Sequence, residues 1–430
     1  MLARFRLVSA LGAIALVCGL GCGPAPAPWP AAPAPLVDGP ILLVTFESLR
    51  ADFVASLGGA AGDTPALDAL VAEARASGGW AGRAVAPSSW TAPVLASLHT
   101  GLAGWHHEVL HAGRAQLIPE VPTLAERFSA AGWSTQAFAP GRRLSPKAGF
   151  GRGFGATSPV RDDGKRLAVA HLRALAPGRQ FLWVHLSRPD STFERNRPKN
   201  EPAAKLRDDY RAYVRWLDHE LGLLLAALEA SGQADKALVA VVGCLGQDLG
   251  DPGPTGVGHH LERSLIEVPW VIKLPTGTAV SIPLPPDSRP GTTRLAATLL
   301  NAAGLSVPPA VAPGLFAAEG PAVVSELYAA GGTNQFSLVA GDLQLLRRVP
   351  LVAPEGDSAT IQRRFQVTLP LSGAGGAEDR LVRWLTPSGT TPVHDPAKLA
   401  ALLTELEQAW LAFRERERTP VAEGWAERSR

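Results

Sequence analysis

The run Ile41-Leu42-Leu43-Val44-Thr45-Phe46, closed by Glu47, decides the architecture of this chain. It has the length of a strand, and its lack of polar alternation marks one covered on both faces, as in a parallel sheet packed between helices. Working outward, Phe181 to Leu186 and Ala237 to Val242 repeat the pattern, and Ser134 to Ala139 follows a helical stretch. Helical periodicity predicts helices over Thr64 to Ala76, Thr91 to Gly101, Thr123 to Ala131 and Asp208 to Ala230. Helices alternating with apolar strands predict a doubly wound or three-layer α/β fold. In such folds polar chemistry gathers beyond the carboxyl ends of the strands, and Glu47, His185 and Cys244 stand at or near such ends.

At 430 residues the chain exceeds the size at which one core keeps growing, so two packed units are expected. The net charge of +2 comes from scattered Lys and Arg, which excludes the basic stripe of a nucleic-acid binder. Arg4 and Arg6 precede the apolar stretch Leu7 to Leu20, too short to span a bilayer but suited to an export signal. Gly19-Leu20-Gly21-Cys22 resembles a bacterial lipobox, in which Cys22 would be acylated; ordinary cleavage and free release is the alternative. The expected location is the periplasm or cell surface, with membrane contact through the lipid anchor only. Residues 23 to 40, rich in Pro and Ala, read as an extended spacer. With Cys18 in the removable segment and Cys22 lipidated, Cys244 has no disulfide partner.

Several ordered motifs carry a family likeness. Phe46-Glu47-Ser48-Leu49-Arg50-Ala51-Asp52 is followed by Thr64-Pro65-Ala66-Leu67-Asp68 and by Pro87-Ser88-Ser89-Trp90-Thr91-Ala92-Pro93 with Thr100-Gly101. Val121-Pro122-Thr123-Leu124-Ala125-Glu126, Gly132-Trp133-Ser134-Thr135, Gly222-Leu223-Leu224, Val268-Pro269 and Thr298-Leu299-Leu300 continue the series. Together they resemble the sulfatase family of the alkaline phosphatase superfamily over roughly residues 41 to 310. The resemblance implies a three-layer α/β/α sandwich of the alkaline phosphatase/sulfatase type, with a small C-terminal α+β subdomain over 311–430. It also implies a nucleophile at Thr91, metal ligands, and residues that steady an anion.

Cleaving a sulfate or phosphate ester takes an in-line nucleophile and cations that neutralise the equatorial oxygens. A Thr opening a helix suits the first role, since the dipole and free N–H groups favour an alkoxide and an incoming anion; equally, Thr caps helices well. Glu47 replaces the family's first Asp, keeping a carboxylate one methylene further out. Where the family has Asp-His-Gly, this chain reads Gly243-Cys244-Leu245-Gly246-Gln247. Cys244 is a soft ligand suited to zinc, or a buried structural thiol. Gly258-His259-His260 matches the family's Gly-His-Gly and offers His259 as a ligand, with Asp248 and Asp251 as replacements. The family's Pro-His segment becomes His185-Leu186-Ser187-Arg188-Pro189-Asp190, keeping His185 but placing Asp190 where a carboxylate repels an anion. Arg50 is an anion contact or a salt-bridge partner. The metal set is thus Glu47, Cys244 and His259, the substrate set Arg50, His185 and Asp190, and the cofactor calcium, zinc, magnesium or none. Gly149 to Gly155 is an ordinary loop.

Past residue 310, Ala322 to Glu326 and Ser337 to Arg348 have strand character, and Pro396 to Arg414 reads as a closing helix. Two functions follow. The preferred one is a sulfatase-like exported lipoprotein with impaired or lost catalysis that binds a sulfated or phosphorylated small molecule or saccharide. The alternative is an active metal-dependent ester hydrolase attacking through Thr91.

Overall fold

The computed structural model describes residues 34–111, 116–140, 148–158, 165–187, 202–250, 255–308, 311–317, 323–330, 333–340, 343–350, 378–386 and 389–392. The expected export signal with Cys22, Asp190, Asp251 and the closing helix from Pro396 lie outside the described residues.

Seven strands form the main sheet: β1 (Ile41–Phe46), β2 (Trp80–Val85), β3 (Ser134–Phe138), β4 (Ala156–Thr157), β5 (Gln180–Leu186), β6 (Leu238–Gly243) and β7 (Glu267–Lys273). Their order is β2-β7-β6-β1-β5-β3-β4, with β1 central and parallel to both β5 and β6. β7 runs antiparallel to β6 and β2, a reversal the sequence reading did not foresee. The helices are α1 (Pro65–Ala76), α2 (Thr91–Thr100), α3 (Gly104–His107), α4 (Leu124–Ala130), α5 (Lys165–Arg173), α6 (Ala203–Ala230), α7 (Arg263–Ile266) and α8 (Leu295–Ala302).

Successive side chains of a strand point to opposite faces, and the sheet here buries both. Ile41, Leu43, Phe181, Trp183, Leu238 and Ala240 enter one core with residues of α2, α4 and α8. Leu42, Val44, Leu182, Val184, Val239 and Val241 enter another with residues of α1, α5 and α6. This is the expected α/β/α sandwich. Local chemistry fixes the helix starts. Thr123 and Glu126 form a reciprocal capping box at α4, with N–H to side-chain distances of 2.8 and 3.1 Å. At α1 the cap comes from α6, whose Asp218 carboxylate accepts from the Leu67 and Ala66 N–H groups at 2.8 and 3.1 Å.

A second, fully antiparallel sheet contains β8 (Val323–Ala330), β9 (Thr333–Ala340), β10 (Leu343–Pro350), β11 (Glu378–Thr386) and β12 (Gly389–Pro392), in order β12-β11-β10-β9-β8. The stretch Ser337 to Arg348, read as having strand character, holds parts of two antiparallel strands with Leu343 facing Ala340. This sheet shares the first core through Leu327, Val339 and Leu346. Polar clasps add to it: Ser325 Oγ donates to Ala86 O at 2.7 Å, and Gln344 Nε2 to Leu261 O at 2.7 Å.

Candidate active-site cleft

β1 delivers Glu47 to the strand tips. Its N–H donates to Leu186 O at 2.9 Å, carrying the β1–β5 pairing one residue past the strand. The next residue, Ser48, is left-handed at φ 54°, an unusual conformation for a residue with a side chain, and it turns the chain away from the sheet. Two tyrosines of α6 hold this turn. Tyr213 Oη donates to Glu47 O and Tyr210 Oη to Ser48 O, both at 2.6 Å, while Arg50 N–H donates to Tyr210 Oη at 2.9 Å. Burial pushes the Tyr210 phenol far above its ordinary range, so it keeps the proton it donates.

On the face of the sheet opposite α6, α2 begins at Thr91, with Trp90 in extended conformation as its N-cap residue. Thr91 is therefore the first helical residue and not the cap. Its hydroxyl donates to Glu47 Oε1 at 2.6 Å. The other oxygen, Oε2, lies 3.0 Å from Nε2 of the buried His185. Glu47, Thr91 and His185, chosen separately from the sequence, thus converge on one carboxylate.

The remaining expected residues part company. Arg50 grips Asp52 with both a 2.9 Å and a 2.8 Å bond, donates to Gln247 O at 3.2 Å, and lies over the Phe53 ring. That is the salt-bridge arrangement. Cys244 continues the sheet by donating its N–H to Phe46 O at 2.8 Å, and its side chain is buried within the first apolar core. His259 gives its carbonyl to Gln335 Nε2 at 2.8 Å. Its segment passes over the residue before Thr91: a Cβ on Gly258 would lie 2.2 Å from the Trp90 ring, so only glycine, here at φ 78°, fits.

Among the described residues, no group of three or more His, Cys, Asp or Glu side chains is placed to hold a metal ion. The expected set of Glu47, Cys244 and His259 is not assembled, because Cys244 is taken into apolar packing. Calcium and magnesium demand six or more oxygen ligands, and structural zinc four nitrogen or sulfur ligands. Among the described residues, one carboxylate, one imidazole and one hydroxyl meet at Glu47, fewer groups than these sets require.

Other polar residues take roles that sequence reading did not assign. Asp248 and His260 form a buried pair at 2.5 Å, while His260 Nδ1 accepts from Glu262 N–H at 3.1 Å and Asp248 Oδ1 from Gly250 N–H at 2.7 Å. Both ring nitrogens are used, so the pair clips the 248–262 loop together; Asp248, expected as a replacement ligand, belongs to this clip. Thr45 and Trp183 were also missed, though a lone Thr inside an apolar run and a Trp-x-His spacing, which puts both rings on one face, were available signals. His99 lies beside them, its ring 4.2 Å from that of Trp183.

No family model and no curated protein sequence matches the chain. Solved structures do. A 2-O GAG sulfatase superposes with a TM-score of 0.66 at 15% identity, over 89% of this chain and 93% of that one. A protein solved in complex with its substrate D-glucosamine-2-N,6-O-disulfate gives 0.62 at 13% identity, over 90% and 100%. The phosphonate monoester hydrolase of Silicibacter pomeroyi gives 0.62 at 17% identity, over 89% and 96%.

Proposed function

We propose, starting from the fold that this chain shares with sulfatases and other alkaline phosphatase superfamily proteins, that it is an exported sulfatase-like protein. Its strand-tip cleft binds an anionic or saccharide ligand without metal-dependent turnover. Export through the Arg4 to Leu20 segment and anchoring at Cys22 belong to the same proposal. One observation carries the reading: both oxygens of Glu47 are engaged by protein groups, Thr91 at 2.6 Å and His185 at 3.0 Å. At the position of the family's first metal ligand, each carboxylate oxygen here spends one lone pair on a neighbouring side chain. The fold itself guarantees no chemistry. A saccharide ligand draws support from structural neighbours solved with sulfated glucosamine and with neocarrahexaose.

The 2.6 Å contact also favours a second reading, in which Glu47 is a general base poised on the Thr91 hydroxyl. Aryl sulfate and aryl phosphate hydrolysis by wild type and Thr91→Ala, with calcium, magnesium or zinc supplied in turn, separates the two. Equal background rates are expected; a rate that depends on Thr91 establishes the hydrolase instead. Calorimetric titration with sulfated and unsulfated glucosamine in chelator is expected to detect binding of at least one, and silence in both removes the binding reading.

A further inference from the structure

The donors and acceptors around His185 can be assigned one at a time, and they run in a single direction. An indole N–H only donates, so the 2.9 Å contact from Trp183 Nε1 occupies one lone pair of Thr45 Oγ1. Thr45 is fully buried, so its own proton needs an acceptor, and His185 Nδ1 stands 2.8 Å away. Nδ1 is then an acceptor, which leaves the ring proton on Nε2, 3.0 Å from Glu47 Oε2. An ionised carboxylate only accepts. The sequence ends there, with the Thr91 hydroxyl entering the same group from the other side at 2.6 Å.

We infer that Trp183 and Thr45 are positioning residues that fix His185 in its Nε2–H form, aiming that proton at Glu47 and leaving the carboxylate to receive the Thr91 hydroxyl. The opposite tautomer fails at both ends. A proton on Nδ1 would strip the buried Thr45 hydroxyl of its acceptor, and a bare Nε2 would set its lone pair against the carboxylate. The register supports the arrangement: Thr45 and His185 are direct partners in the parallel β1–β5 pairing, and Trp183 precedes His185 by two residues on the same face. His185 therefore orients Glu47 and does not compete with it for the Thr91 proton. The inference rests on the proposed cleft only in taking Glu47 and Thr91 as its centre.

The test reads the ring nitrogens directly, in full-length protein labelled with 15N-histidine and without ligand, the His185 signals being assigned by their loss in His185→Gln. Wild type and Thr45→Ser are expected to show a protonated Nε2 and a bare, hydrogen-bonded Nδ1. In Thr45→Val the Nδ1 resonance is expected to move toward that of an unbonded nitrogen. Protonation at Nδ1 in the wild type, at that nitrogen alone or at both, overturns the inference, as does an Nδ1 resonance unchanged in Thr45→Val. Should Thr45→Val not fold, the wild-type and Thr45→Ser spectra decide alone. Because the spectrum needs neither ligand nor turnover, a failed hydrolysis or binding experiment leaves it standing.

Discussion

His99, buried beside Trp183 and His185, makes the fold sensitive to acid. Burial, then the neighbouring His185, lower its pKa from the ordinary 6.5 to about 3, and neither ring nitrogen has a hydrogen-bond partner among the described residues. Between those two values the unfolded chain takes up a proton that the folded chain refuses. Acidification therefore favours unfolding, by about 1.4 kcal/mol per pH unit for one such group. His107, also lowered to about 3 by burial, acts in the same direction. Replacing His99 by Phe removes an unpaired polar ring from an aromatic setting that already holds Trp183, Phe150 and Phe154. His99→Phe is expected to be near neutral at pH 7. Urea unfolding at pH 7 and pH 5 should show a smaller loss of stability than wild type, by about 1–2 kcal/mol; an unchanged pH dependence refutes the assignment.

The turn after β1 depends on α6 as much as on its own sequence. Tyr210 supplies an acceptor to Arg50 N–H and a donor to Ser48 O, tying both backbone groups of the turn to α6. Tyr210→Phe leaves both polar groups buried without that partner, at an expected cost of about 1–3 kcal/mol, measured as a lower urea midpoint with unchanged slope. A midpoint within error of wild type would show that the turn holds itself. Elements of this kind were unevenly legible. β1, β5 and β6 stand out in sequence because both faces of the sheet are buried and their residues are almost all apolar. β2, reading Trp80-Ala81-Gly82-Arg83-Ala84-Val85, hides behind its Gly and Arg, and β7 carries Pro269 and charged residues at both ends. Pro269 falls outside the β6–β7 pairing, which begins at Trp270, and stands opposite Arg83 of β2. Arg83 and the buried Glu267, which obscure the pattern, are ionic partners at 2.8 Å, an interaction that periodicity does not register.

At the scale of the whole molecule, the two sheets are packed through one continuous apolar cluster, not tethered as separate bodies. A chain ending at residue 310, the boundary the sequence suggested, is expected to expose the surface now covered by Leu327, Val339 and Leu346. It should bind a hydrophobic dye and elute as aggregates in size-exclusion chromatography; a monodisperse, dye-silent fragment would show that the first sheet stands alone. The cleft shows how far motifs carry. Glu47, Thr91 and His185 were legible because each sits at a strand tip or helix start, positions fixed by the backbone pattern. For Arg50 and Cys244 the sequence left two readings each, and side-chain geometry selects the salt bridge to Asp52 and the buried structural thiol. Gln335 and Gln344 give this unity a temporal side, because they hold the carbonyls of His259 and Leu261 in the segment that crosses Trp90. A nascent polypeptide leaves the ribosome N-terminus first. Glu47 and Thr91 thus emerge before Gln335 and Gln344, and the segment that crosses Trp90 gains these two clasps only after both glutamines have followed.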